Sequence, residues 1–273
     1  MRHGDFAAPP SSGVPAMHTS KSPSEKATSN TPVSESGGPT PADWSFFDRV
    51  YCISLETRED RRTEARRQFS RVGLADKVEF LLVDKHPADC EQGIYESHLQ
   101  CMAKGLENGA RRILIFEDDI VFERFSPETL RQAVDFLREN RDWQAFFLGC
   151  MVKKSRRTES PAVVRIAFRS LTHAYVVQRE FAESLVTHNP WNTIAFDDFL
   201  RDLDSPRMYA VYPSFAFQSN ALSDNDPYLP LDRFRRICGG LRSVQKRNEL
   251  YHHHKWFIIG GHILALLALG YWL

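Results

Sequence analysis

The segment Arg112-Ile113-Leu114-Ile115-Phe116-Glu117-Asp118-Asp119-Ile120-Val121-Phe122 decides how this chain is read. Arg112 to Phe116 is a short β-branched and aromatic run, the pattern of a buried strand, and three acids follow it directly. Ionised carboxylates at the end of such a strand are costly unless they are paired or bound to a metal. The carboxyl ends of strands in open α/β sheets are also where ligands bind. Side chains alternate along a strand, so the spacing predicts Glu117 and Asp119 on one side and Asp118 on the other. Hard oxygen ligands on one side suit Mg²⁺ or Mn²⁺, and such an ion can bridge a diphosphate and neutralise charge on a leaving group. The plain alternative is an acidic loop at the sheet edge. The apolar residues on both flanks argue against it.

Working outward, strand and helix patterns alternate from about Trp44 to Asp224. Arg49–Leu55 and Val78–Val83 read as strands separated by a charged stretch that ends near Gly73. Ser97 to Asn108 reads as a helix. Ser126-Pro127-Glu128 opens another through Leu137, with a capping Ser, Pro at the first position and an acid in the first turn. Trp143–Met151, Val163–Phe168 and His173–Gln178 are further strands, and Phe181–His188 is helical. The alternation predicts an α/β fold with strands and helices in layers.

The 273 residues suffice for one sizeable core, and 35 basic residues balance 35 acidic ones, so charge gives no case for nucleic acid as a partner. The 5 cysteines include no C-x-x-C pair, and Cys52 and Cys150 sit in apolar runs, which reads as a reducing compartment without a disulfide framework or zinc site. Residues 1–43 are rich in Ser, Pro, Thr, Gly and Ala, show no apolar signal-peptide core, and read as a disordered tail. Residues 44–230 form the expected catalytic domain and 231–255 a basic juxtamembrane segment. Trp256–Leu273 is apolar except for His262 and reads as a transmembrane anchor. Arg233, Arg235, Arg236, Arg242, Lys246, Arg247 and Lys255 precede it, which predicts a single-pass membrane protein whose catalytic domain faces the cytoplasm. His252–His254 read as interfacial residues.

Two further places carry candidate chemistry. Ser97-His98 lies after the turn-like Gln92-Gly93. Asp197-Asp198 follows the apolar stretch Trp191–Phe196 and reads, taken alone, as a helix cap with a first-turn acid.

In order, these elements resemble glycosyltransferase family 25, which includes bacterial lipopolysaccharide sugar transferases and procollagen galactosyltransferases. The carriers are Val50–Leu55 with Thr57–Arg62, Gly93-Ile-Tyr-Glu-Ser-His98, the Ile113–Phe122 segment, His173-Ala-Tyr175, Asp197, Pro213, Gln218 and Ser223-Asp224. Ser54 replaces the usual Asn, and Gly93-Ile94 replaces a common Gly-Cys pair. The resemblance covers roughly Phe47 to Asp224. It implies a GT-A-like nucleotide-sugar-binding domain with a mixed central sheet, a UDP-sugar donor (often UDP-galactose), usually Mn²⁺, and inversion at the anomeric carbon. It further implies a glycan or glycoconjugate acceptor. By position Glu117 and Asp119 take the metal and ribose role. Ser54, Arg58, Arg61 and Asp118 lie near the nucleotide, and Ser97 and His98 line the donor pocket. An inverting transfer needs a general base. Asp197 is the first candidate, with Asp198 and His98 as alternatives. The competing expectation is a non-catalytic, membrane-tethered relative that keeps the fold as a binding or adaptor protein.

Overall fold

The computed structural model describes residues 43–219 and 239–272. The tail before residue 43, the Ser223-Asp224 match, Arg233, Arg235, Arg236 and Cys238 lie outside the described residues. The elements run β1 (Arg49–Leu55), α1 (Glu59–Arg71), β2 (Val78–Val83), α2 (Cys90–Glu107), β3 (Arg112–Glu117), β4 (Ile120–Phe122), α3 (Pro127–Glu139), β5 (Ala145–Phe147), β6 (Met151–Arg157), β7 (Val163–Ser170), β8 (Ala174–Gln178), α4 (Arg179–His188), α5 (Phe196–Asp202), β9 (Met208–Val211), β10 (Ala216–Gln218) and α6 (Gly240–Trp272).

An 8-stranded mixed sheet has the order β2-β1-β3-β8-β5-β9-β7-β6, and β10 and β4 form a separate 2-stranded ribbon. β2, β1 and β3 are parallel, whereas β8 runs antiparallel to both β3 and β5. The period of two along each strand builds a core on each face. On one side Cys52, Leu114, Phe116 and Val176 pack with Phe69 of α1 and Leu137 of α3. On the other, Tyr51, Ile113, Ile115 and Tyr175 pack with Met102 of α2, Leu185 of α4 and Phe196 of α5. Each fully buried side chain of this size contributes about 1.5–3 kcal/mol of hydrophobic stabilisation.

Several local expectations shift. The charged stretch after β1 is helix α1. The predicted Trp143–Met151 strand is two pieces, β5 and the start of β6, separated at Leu148–Cys150. Helix α2 begins at Cys90 rather than Ser97, because Asp89 caps it by accepting from the backbone N–H groups of Glu91 (2.9 Å) and Gln92 (3.3 Å). Gly93 therefore lies within a helix and not in a turn. A Cβ there would stand 2.8 Å from the Cβ of His86, so the glycine admits the loop after β2. Helix α5 is capped by Ala195, which places Asp197 and Asp198 inside its first turn and not at the cap.

The C-terminal expectation finds no support in the described residues. Among the described residues, no helix is long and apolar enough to cross a membrane. Helix α6 is broken at His254, where φ is −115° and ψ 15°. Its apolar part, from Trp256 onward, contains Gly260, Gly261 and His262. Upstream of the break, two residues of the basic flank are committed elsewhere: Arg242 and Lys246 both hold Glu123.

Candidate functional site

A cavity of about 400 Å³ opens at the carboxyl ends of β1 and β3. Ser54, Arg61, Ser97, His98, Glu117, Asp118, Asp119, Asp197 and Asp198 all line it, so the fold joins residues that are far apart in sequence. Arg58 does not line it. It pairs with the exposed Asp60 at 2.8 Å, beside the start of α1.

The alternation expected across the acid triplet stops early, because β3 ends at Glu117 and Asp118-Asp119 form the turn into β4. Asp118 turns toward β1 and α1. Its Oδ2 accepts from the Ser54 hydroxyl at 2.7 Å and its Oδ1 from Arg61 at 3.3 Å. Burial raises its pKa, although Ser54 and Arg61 both act to lower it. Ser54 thus has a defined partner.

Glu117 faces the other way. Its Oε1 accepts from Thr172 Oγ1 and its Oε2 from Gln218 Nε2, both at 3.3 Å. His98 Nε2 stands 3.7 Å from Oε1. Burial, then the charges of Asp119 and Asp197, hold the Glu117 carboxyl well above its ordinary value. Asp119 is pushed up to about 7, chiefly by burial, with Arg61 opposing. Its Oδ1 is buried without a hydrogen-bond partner. An orphaned carboxylate oxygen beside a second raised carboxylate is the environment that a divalent cation relieves. Among the described residues no group of three or more His, Cys, Asp or Glu side chains converges on one point. An ion held there would need ligands beyond these carboxylates, such as the phosphates of a substrate.

Asp197 sits across the cavity on α5. Its Oδ2 accepts from the Leu171 backbone N–H and its Oδ1 from Thr172 Oγ1, both at 2.8 Å. Leu171 holds φ 80°, a left-handed conformation costly for a leucine, which turns its N–H toward the carboxylate. Burial raises the Asp197 pKa, while these two donors oppose the rise. Asp198 is instead drawn into an ion pair with Arg201 and stands about half exposed (46%).

His98 is buried, stacked on Phe196 at 4.4 Å, and bonded through Nδ1 to the Tyr175 hydroxyl at 2.9 Å. Burial drives its pKa down to about 3, so it is neutral. Ser97 spends its hydroxyl on the Gly93 carbonyl at 2.6 Å. Two residues absent from the sequence assignment join the cluster. Thr172 bridges Glu117 and Asp197, and Gln218 reaches Glu117 from the ribbon. Gln218 is a motif position to which the sequence assigns no role; Thr172 carries no sequence signal beyond its place before His173.

No protein-family model matches the chain. Human procollagen galactosyltransferase 2 is 24% identical over 202 residues, covering 61% of this chain and 31% of that protein. A glycosyltransferase 25 family member of Anopheles gambiae is 25% identical over 217 residues, covering 66% and 35%. The chain is similar to the glycosyltransferase 25 family. It spans about a third of the length of these curated relatives. The family likeness also extends to a human protein named inactive glycosyltransferase 25 family member 3, 25% identical over 205 residues and covering 64% of this chain and 34% of that one. Two solved structures overlay more loosely. They are A197 from STIV (TM-score 0.44, 13% identical, 65% of this chain and 87% of that one) and a glycosyltransferase involved in glycosylation of the major capsid of PBCV-1 (TM-score 0.39, 10% identical, 69% and 99%). At such scores neither adds weight beyond the sequence relatives.

Proposed function

We propose that this chain is a glycosyltransferase that moves a hexose, galactose by preference, from a UDP-sugar to a hydroxyl of a glycan or glycoconjugate, with inversion. The observation that carries this reading is the gathering of Glu117, Asp118, Asp119 and Asp197 from two separate segments around one cavity at the carboxyl ends of β1 and β3. The galactose preference comes from the names of the relatives.

In this reading Asp197 is the general base. It takes the proton of the acceptor hydroxyl as that oxygen forms a bond to the anomeric carbon, and the bond from that carbon to the diphosphate oxygen breaks, releasing UDP. The Leu171 N–H and Thr172 hydroxyl fix the carboxylate and hold it closer to ionisation than burial alone would allow. Asp198 fits the role less well, because Arg201 holds it. His98 fits it less well because Tyr175 and Phe196 enclose its ring. Asp119 and Glu117 would hold Mn²⁺ or Mg²⁺. When bound, the ion would neutralise charge on the leaving diphosphate. Asp118, fixed by Ser54 and Arg61, orders the nucleotide side of the cavity.

Incubating the protein with a panel of UDP-sugars and Mn²⁺ and measuring UDP release tests the proposal, with UDP-galactose expected to turn over fastest. The relative named inactive supplies the competing outcome. Calorimetric binding of UDP with no turnover of any donor would make this chain a binding protein on the same fold.

A further inference from the structure

The acid turn and Gln218 do not belong to the large sheet. They sit on the ribbon: β4 begins directly after Asp119, Gln218 pairs in register with Ile120, and the Ser219 backbone N–H donates to the Asp119 carbonyl at 2.7 Å. A 2-stranded ribbon is marginally stable unless something packs on it. Here the covering element is the first half of α6, before the break at His254.

The contacts fall on both strands. Gln245, fully buried, donates its amide N–H to the Ala216 carbonyl of β10 at 3.0 Å. Gly149 backs the same carbonyl; a Cβ there would lie 1.9 Å from that oxygen, so no side chain fits. At the end of β4, Glu123 is clasped by Arg242 at 2.6 Å and by Lys246. Lys246 and Arg124 each stand 5.2 Å from the buried Phe217 ring of β10. Glu249 accepts from the Ser214 backbone N–H at 3.0 Å and pairs with Arg124. Asn248 exchanges two hydrogen bonds with the Val152 backbone, at 2.8 and 3.0 Å, which anchors the helix to the edge of the large sheet. Gly240 and Leu241, at the start of the helix, line the cavity itself.

We propose that Gln245 and Glu123 are positioning residues: through them α6 holds the β4–β10 ribbon in place, and the ribbon in turn sets Gln218 against Glu117 and fixes the Asp118-Asp119 turn. The helix is then part of the site's framework and not merely a connection to the apolar segment beyond His254. Its registration of the ribbon needs no ligand. Only the consequence for turnover rests on the proposed transferase activity.

Amide hydrogen exchange of the full-length chain reads this directly, because the Ser219 N–H reports whether the turn is held. Gln245→Met keeps the volume but removes the donor, and Glu123→Gln removes the ion pairs at a partly exposed position where misfolding is a smaller hazard. Each should speed Ser219 exchange on the order of tenfold, as expected for losing one buried or charge-assisted bond, with the β1 and β3 amides still protected. Glu123→Asp should recover part of the protection. In the activity arm both variants should lower kcat on the order of 10–100-fold, with donor KM within about twofold, because misplacing a site acts on the reacting geometry. Unchanged Ser219 exchange in both variants would overturn the proposal. So would a rise that merely tracks a global loss of protection. If the wild-type chain turns over no donor, the transferase reading fails, and the exchange arm still decides this one.

Discussion

The two sides of the cavity treat their carboxylates differently. On the β1–α1 side, Asp118 meets a hydroxyl and a guanidinium, Ser54 and Arg61. On the α5 side, Asp197 meets only neutral donors, the Leu171 N–H and the Thr172 hydroxyl. Thr172 has a single proton, so the hydroxyl that serves Asp197 at 2.8 Å cannot also donate fully to Glu117 at 3.3 Å. A carboxylate neutralised by arginine is a poor proton acceptor. One held by neutral dipoles inside the protein stays ready to take a proton. In the proposed reaction, that difference puts binding on the first side and proton transfer on the second.

The largest effect should come from the second side. Asp197→Asn is expected to cut transfer by about 10²–10⁴ while calorimetric UDP binding barely changes. Loss of UDP binding together with transfer would erase the contrast between the sides. Asp119→Asn should weaken cation-dependent UDP binding by about 10–100-fold, the scale for disturbing a metal site, without unfolding the chain. Binding that is equally tight with a chelator present would remove the ion from the scheme.

A third test uses pH. The folded-state pKa of Asp119 is raised from 3.8 to about 7, so between those values the folded chain holds a proton that the unfolded chain has released. Stability in metal-free buffer should therefore fall as pH rises through that window and level off above it. Added Mn²⁺ should offset the loss above pH about 7 in the wild type, and less in Asp119→Asn. Thermal melts that do not respond to pH in this window would mean that Asp119 is already ionised and paired. On the binding side, Ser54→Ala leaves one oxygen of buried Asp118 without its hydroxyl partner and should cost about 1–3 kcal/mol in chemical denaturation. The smallest effect is expected from deleting Trp256–Leu273. Most described large side chains there are exposed, among them Trp256 at 75% and Leu269 at 61%, so the free energy of unfolding should change by no more than about 0.5 kcal/mol.

Much of the fold was legible because its signals are local. The Ile113–Phe116 run, the Ser126-Pro127 start and the alternation of apolar stretches with charged ones each reflect a few neighbouring residues, and the structure places β3, α3 and the layered α/β core accordingly. The errors fall where neighbours were not local. Alternation predicted Asp118 opposite Glu117, as found, but carried the strand on through Asp119, where the chain has already turned because β4 pairs with β10. Gln92-Gly93 looked like a turn because close packing against His86 is invisible in sequence.

The sequence by itself determined which residues could do chemistry: an acid triplet after a buried strand, a Ser-His pair, and a second acid pair far along the chain. Composition and order are enough for that, because carboxylates at strand ends are rarely tolerated without a use. Tertiary structure alone decided which carboxylate has a cationic partner and which does not. It also decided that Thr172 joins two of them, and that α6 reaches back to hold the ribbon beneath the site. A pKa depends on distance and burial, and both are set by contacts between residues far apart along the chain.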